Sequence, residues 1–336
     1  MAEWKFVIGT GTAETYELRA LDRKIKLDLK ATSSASFSMN LTDPATGYIL
    51  PLITDLKIYR DDDKVFRGRF GQFTASLDEN SGYAGYTATD YRGILERRFF
   101  YEDDNTFWYG EDVATVVWDC LTMTQTKAEG SRGITQGIGF PTLGIIRNEV
   151  EFAPGANIMQ SLTQIAENKV RGFEWDIDMD LKVNVWGVRG NNTPRAIDYR
   201  GAATSVDYNY DTTQYANAAR ATSGGSNSAE EIDSPSLAGN PKGRWEAQLS
   251  WPDIETQEVL EDRTQYLLEQ VDKVPEEFTL KLRQGWWQGP TDVWLGDTIV
   301  VKLQYGSLNV NQTVRVHTID ITLDEDGREE VSLVVK

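Results

Sequence analysis

In the stretch from Thr87 to Thr126 the apolar residues stop alternating and begin to recur at helical spacing, so the chain must change there from strands to helix. Val113, Val116, Val117, Cys120 and Leu121 fall at i, i+3, i+4, i+7 and i+8, which predicts an amphipathic helix opening at Glu111. Ahead of it stand Tyr91, Leu95, Phe99, Phe100, Tyr101, Phe107, Trp108 and Tyr109. Each aromatic ring covers roughly 150 to 250 Å². Such a concentration predicts a hydrophobic seam between a strand block and an α/β block, in preference to a ligand cage.

Residues 1–100 read as a first β-barrel domain. Trp4 to Ile8 opens it, Ile25, Leu27 and Leu29 alternate with Lys24, Lys26, Asp28 and Lys30, and Ala35, Phe37, Met39 and Leu41 keep the same period of two. That pattern puts one face on a core and the other in water. Arg60 to Lys64 is an acidic hairpin tip joining Leu56–Ile58 to Val65–Phe66, and Asp43 to Gly47 is a proline turn. Many short strands joined by tight turns suggest a closed or nearly closed barrel, because closure removes exposed edges.

Residues 101–200 read as an α+β middle domain. The Glu111 helix leads into a glycine-rich connector over 129–144 that has no periodicity. A second helix, marked by Pro154 and Gly155, carries Ile158, Leu162, Ile165 and Ala166; a hairpin then turns at Met179 and Asp180. Residues 201–336 read as a second β-barrel domain with an inserted helix at 254–272 and a mobile loop at 223–243. The loop is rich in Gly, Ser, Asn and Pro, whereas the helix carries Val259, Leu260, Arg263, Leu267, Leu268 and Val271 as a partly apolar face. The strand Trp294 to Leu303 and a hairpin turned at Asp324 to Gly327 close the chain. The expected fold class is mainly β with α+β insertions: two antiparallel β-barrel-like domains joined by α/β material.

Composition removes most chemistry. Acids outnumber bases by 52 to 34, and a net charge of -18 repels phosphate backbones, so sequence-specific binding to nucleic acid is not expected. The lone cysteine, Cys120, lies on the apolar stripe as a small buried hydrophobe and can form neither an internal disulfide nor a thiol-based metal site. The one histidine, His317, sits in VRVHTIDITL, where Val314, Val316, Thr318 and Asp320 would share one strand face and His317, Ile319 and Ile321 the other. Triads and imidazole-held zinc need more than that. Gly9 to Glu14 has the glycines of a phosphate loop but neither its lysine nor a following helix.

Paired carboxylates are the remaining catalytic option. Glu102, Asp103 and Asp104 stand among aromatics, and Asp176, Asp178 and Asp180 alternate along a strand, so either set could imitate a glycosidase pair. Such a pair needs one desolvated acid, whereas runs of acids in so acidic a chain are normally solvated faces. The aspartates near 178–180 and 324–326 are also too closely spaced for a twelve-position calcium loop. No catalytic, cofactor-binding or metal-binding residue is assigned, and no cofactor is expected. No apolar run reaches the roughly 18 residues that a membrane helix needs, and the N-terminal MAEWKFVIG carries none of signal-peptide length, so neither membrane insertion nor Sec-type secretion is expected.

The layout carries more information than any single motif. DLKIYRDDDKVFRGRF, YTATDYRGILERRFF, the helix after WYGED, GFEWDIDMDLKVNVW, WLGDTIVVKL and the hairpin EDGREEV together resemble, in order and spacing, the baseplate hub or tail-tip minor tail proteins of long-tailed bacteriophages, whose hub fold contractile-tail phages share. The resemblance spans nearly the whole chain. It implies a virion protein of the tail tip: a structural homo-trimer whose ring joins the tail tube, or a distal tail protein, to other tip proteins. Genomic DNA would pass through that ring without specific binding. Enzymatic or receptor-binding extensions of relatives would have to lie on other subunits, since this chain stops at its last predicted strand. A head-to-tail ring needs large subunit contacts, and Trp286, Trp287 and Trp294 are the candidate interface, with core burial as their other reading. Two further functions stay open: a carbohydrate-binding tail protein contacting the host surface, favoured by ten tryptophans, and a glycosidase.

Overall fold

The structure, a computed structural model, describes all residues except 1, 11–12, 80, 102–105, 168–171, 224–231, 252–256 and 275, and except the side chains of 251, 258–259, 262–263, 266 and 270. Seven strands come first: β1 (Trp4–Gly9), β2 (Tyr16–Glu17), β3 (Leu21–Asp28), β4 (Ser34–Asn40), β5 (Asp55–Arg60), β6 (Asp63–Leu77) and β7 (Gly82–Asp90), followed by the helical turn α1 (Arg92–Leu95). The middle segment holds β8 (Thr106–Asp112), α2 (Val113–Gln125), β9 (Thr135–Gln136), β10 (Ile146–Phe152), α3 (Ile158–Ala166), β11 (Glu174–Ile177) and β12 (Lys182–Trp186). After it come β13 (Asn192–Asp198), β14 (Ala203–Tyr210), β15 (Ala218–Ser223), β16 (Ile232–Asp233), β17 (Glu246–Trp251), α4 (Gln257–Val271), β18 (Glu276–Leu282), β19 (Thr298–Tyr305), β20 (Leu308–Leu323) and β21 (Glu329–Val335).

The protein is mainly β, as its alternating pattern requires, and one large, curled, mostly antiparallel sheet takes in thirteen of these strands. Its order is β14-β18-β21-β20-β3-β4-β7-β6-β5-β1-β2, with β19 on the first half of β20 and β13 parallel to β19. Strands from both ends of the chain therefore share one hydrogen-bonded sheet, and the expected blocks 1–100 and 201–336 are not separate in their pairing. Contacts instead gather Met1–Val206 with Thr279–Val335 as one compact unit and Asp207–Phe278 as another. The reason lies in β20. It is long enough to pair with β19 over Leu308–Arg315 and with both β3 and β21 over Thr318–Leu323.

Between those halves the register with β21 slips: Val316 faces Val335 while Thr318 faces Val334, which leaves His317 as the extra residue of a bulge. An extra residue reverses which side chains point inward. Val314 and Val316 are buried before it, and Ile319, Ile321 and Leu323 after it. The expected single face of Val314, Val316, Thr318 and Asp320 is thus broken at Thr318, and both apolar runs reach a core. Under the sheet, Phe37 packs edge-on against Phe6 and Phe70 at 5.9 Å and stacks on Tyr86 at 5.4 Å.

The middle segment folds as its helical spacing predicts. Asp112 caps α2 by accepting from Ala114 N at 2.8 Å, and Val113, Val116, Val117, Cys120 and Leu121 are buried. Asn157 caps α3 in the same way, accepting from Gln160 N. The aromatic stretch divides by strand alternation: Trp108 packs with Phe100 and Phe152, whereas Phe107 and Tyr109 stay exposed on the other face of β8. The glycine-rich connector without periodicity supplies β9, paired to β12, and leads into β10, paired to β8.

The unit Asp207–Phe278 is not a barrel. Its β15 lies between β16 and a parallel β17, and α4 packs Leu260 against Ala221 and Leu249. The predicted loop 223–243 lies partly outside the described residues, but 232–243 is tightly held. Ser234 is buried and donates to Asp272 at 2.7 Å, while Asn240 Nδ2 donates to the Tyr215 hydroxyl at 2.9 Å. Small polar residues read as mobile here act as hydrogen-bonding groups.

The bulge yields a sharp expectation. His317→Ala should unfold in urea within about 1 kcal/mol of the parent, since the backbone makes the bulge. Deleting His317 joins Val316 to Thr318 in regular register with Val335 and Val334. Val314, Val316, Ile319, Ile321 and Leu323 then keep one face, so the cooperative transition should survive, with only the bend of the strand lost.

Candidate functional site

Beneath β5 and β6 lies a buried, charged joint rather than an open cleft. Antiparallel register sets Asp55 opposite Arg69 and Lys57 opposite Arg67, so alternation gathers these charges on one face. The sequence pattern predicts that this face meets water. Instead Asp55 is 0% exposed. Its carboxylate accepts from Arg67 at 2.9 Å, from Arg69 at 3.1 and 3.0 Å, and from the Tyr91 hydroxyl at 2.6 Å. Burial, followed by the Asp55 charge and hydrogen bond, raises the Tyr91 phenol to about 12, so it stays a neutral donor.

The cover over that face is the β11–β12 hairpin. Arg67 Nη1 donates to Met179 O at 2.9 Å, and Lys64 pairs with Asp180 at 2.5 Å. Asp176 pairs with Arg189 at 2.6 Å and accepts from Asn184 at 3.2 Å, while Asp178 caps the turn by accepting from the Asp180 and Lys182 amides. Desolvation raises Asp176 above the usual carboxylate range, against the pull of Arg189 and Arg92. A cavity of about 290 Å³ opens here, and it carries both signs of charge, among them Arg67, Asp90, Arg92, Asp176 and Arg189. Of the two acid sets proposed for a glycosidase, one is therefore committed to ion pairs and turn caps; Glu102, Asp103 and Asp104 lie outside the described residues.

Two more pairs tie the last strands to this joint. Arg60 grips Glu329 through Nε at 2.9 Å and Nη2 at 2.8 Å, donates to Gln288 O at 2.9 Å and lies over the Trp287 ring at 5.2 Å. Arg315 forks onto Glu174 at 2.5 Å through both terminal nitrogens and donates to Gly296 O at 2.9 Å. Burial alone would raise Glu174, but the Arg315 hydrogen bonds, the Arg189 amide and the Arg315 charge hold it below the usual range.

The candidate interface tryptophans lie in the loop that these arginines organise. Trp287 is 1% exposed and donates from its indole to Val293 O at 2.9 Å, so it belongs to the chain's own core. Trp286 is half-buried under Arg195 at 4.5 Å, and Trp294 is half-buried at the cavity wall. Cys120 is buried and free, and no group of three or more His, Cys, Asp or Glu side chains that could hold a metal occurs among the described residues.

This architecture matches solved tail proteins along its full length. A tail protein from Neisseria meningitidis MC58 aligns over 99% of this chain and 96% of its own at a TM-score of 0.71 and 14% identity. The 43 kDa tail protein of prophage MuSo2 from Shewanella oneidensis aligns over 99% and 97% at 0.71 and 12% identity. The E. coli c3393 protein, a type VI secretion component similar to the T4 bacteriophage tail proteins gp27 and gp5, aligns over 98% and 76% at 0.55 and 10% identity. No family model matches the chain, and no curated protein matches it. The chain thus has the fold of phage tail and hub proteins.

The joint makes two expectations. Asp55→Ala strands two buried guanidinium groups and should cost about 3 to 5 kcal/mol in chemical unfolding. Glu174 is lower in the folded chain than unfolded, so its contribution is complete above the ordinary Glu range of about 4.3 and is lost as pH falls through the folded value. Arg315→Met should therefore flatten the acid limb of a stability-versus-pH curve.

Proposed function

We propose that this chain is a structural tail-tip protein that forms a trimeric ring between the tail tube and the other tip proteins, with genomic DNA passing through its centre. The observation that carries the reading is the end-to-end match to tail proteins, over 99% of this chain. The joint supports it. Of the acids weighed for catalysis, Asp176 pairs with Arg189 and Asp180 with Lys64, which suits a part that bears load and performs no turnover. Trp286 and Trp294, the two tryptophans of the loop that keep some exposure, are proposed as part of a subunit contact. The net charge of -18 supports an acidic lumen along which DNA slides without sticking.

A second reading, binding of host glycans, draws on Phe107 and Tyr109, whose rings lie parallel within 8° at 5.7 Å on an exposed strand face. Native mass spectrometry of the purified chain separates the two. The ring reading expects a species of three chain masses, alone or with the tail-tube protein added. A monomer under both conditions that binds a glycan array through Phe107 and Tyr109 would replace it.

A further inference from the structure

A second cavity, of about 430 Å³, lies where β6, β7 and α1 meet, and it is lined by Arg69, Arg97, Arg98 and Arg132 together with Leu52 and one acid, Glu96, which accepts from Thr32. In so acidic a chain, four guanidinium groups on one groove are conspicuous. Arg69 shares the single Asp55 carboxylate with Arg67. Among the described residues, Arg97, Arg98 and Arg132 have no carboxylate partner. Arg132 also keeps a buried Nε without a hydrogen-bond partner. Burial, then the neighbouring Arg69 and Arg98 charges, lower Arg132 from its ordinary value, as like charges held together must.

The groove's wall is shaped by a bulge. The register between β6 and β7 slips between Phe70 and Gln72, and Gly71 at that point lines the cavity. Beside it, Leu50, Leu52 and Ile53 are 49%, 58% and 56% exposed. Exposed aliphatics next to arginines make a surface for protein, because a phosphate backbone offers nothing to the apolar half.

We infer that this groove is one half of the ring's subunit contact and receives the acidic turn Asp324–Asp326 of a second copy of this chain. The inference rests on the ring reading and adds to it which surfaces meet. A head-to-tail ring joins unlike faces, so a cationic groove on one face calls for an anionic element on another. The turn fits that need. It carries three consecutive acids, all exposed, and Asp326 has only a loose 3.8 Å contact with Arg328. It cannot fold back into its own groove. Thr322, Lys24, Ser36, Thr87 and Gln72 form one continuous row across β20, β3, β4, β7 and β6. Thr87 already lines the groove, so three strand spacings, about 14 Å along the sheet, separate the groove from Thr322 beside the turn.

The test uses the full chain. Sedimentation velocity would follow self-association of the parent, of Arg97→Glu/Arg98→Glu/Arg132→Glu, of Glu325→Lys/Asp326→Lys and of the variant combining both sets. Arg69 and Asp324 stay untouched, since they hold Asp55 and the turn backbone, and circular dichroism would verify folding. Each reversal should weaken association at least about tenfold, and the combined variant should recover most of it. A ring that tolerates either reversal overturns the groove assignment and leaves the ring reading standing. A parent that stays monomeric removes both. Capture of duplex DNA by the parent, lost in the arginine variant, would assign the groove to phosphate instead.

Discussion

The structure depends on one buried carboxylate. Taking Asp55 out of water costs several kcal/mol unless its lone pairs are satisfied. Arg67, Arg69 and Tyr91 satisfy them from β6 and from the turn after β7. These donors arrive there because β5 and β6 are paired in a register that sets Asp55 against Arg69. A slip of one residue would turn the acid into the apolar core and leave two arginines without it. The network thus fixes the register of the hairpin and, through Arg67 and Met179, the seat of the β11–β12 hairpin above it. Sheet and insertion become one body by way of charge, where an apolar contact would have allowed sliding.

What could be read from the sequence follows from how local its cause is. Helices α2 and α3 have capping residues and stripes inside a dozen positions, so both were legible, although α2 opens at Val113 instead of Glu111 and α3 at Ile158 instead of Gly155. The charged face of β5 was visible as alternation but not as buried, because burial there depends on a hairpin more than a hundred residues later. Trp287 was offered as a contact residue and is core, since the residue that covers it, Arg60, lies at the other end of the chain. The bulge at His317 left a trace in the sequence: valines on even positions change to isoleucines on odd ones. Strand β8 was hidden for a different reason, its alternation being masked by aromatics on both faces.

The long strand β20 explains why end segments of the chain meet. A strand of sixteen residues that bends at a bulge can present two sets of partners, and it does so with β19 on one half and β3 with β21 on the other. Two modules expected to be separate barrels share it. The bulge bends the strand at the point where its partners change, so neither module needs an exposed edge there. Arg315, two residues before the bulge, forks onto Glu174 and anchors the same point to the insertion.

Pairing inside the chain also determines what charge is left outside. Arg60, Arg67, Arg69, Arg92, Arg189 and Arg315 pair with Glu329, Asp55, Asp90, Asp176 and Glu174 in partly or fully buried contacts, and because Arg67 and Arg69 share Asp55 this set removes none of the negative excess. The excess of 18 acids must therefore be carried at the solvent boundary. Such a surface repels its own copies as well as nucleic acid, and the repulsion is screened only beyond roughly 8 Å at physiological salt. Any assembly of this chain needs local exceptions where positive and apolar side chains are presented together. In so acidic a chain, the groove where Arg97, Arg98 and Arg132 stand beside exposed aliphatics is where a negatively charged partner would meet the least repulsion.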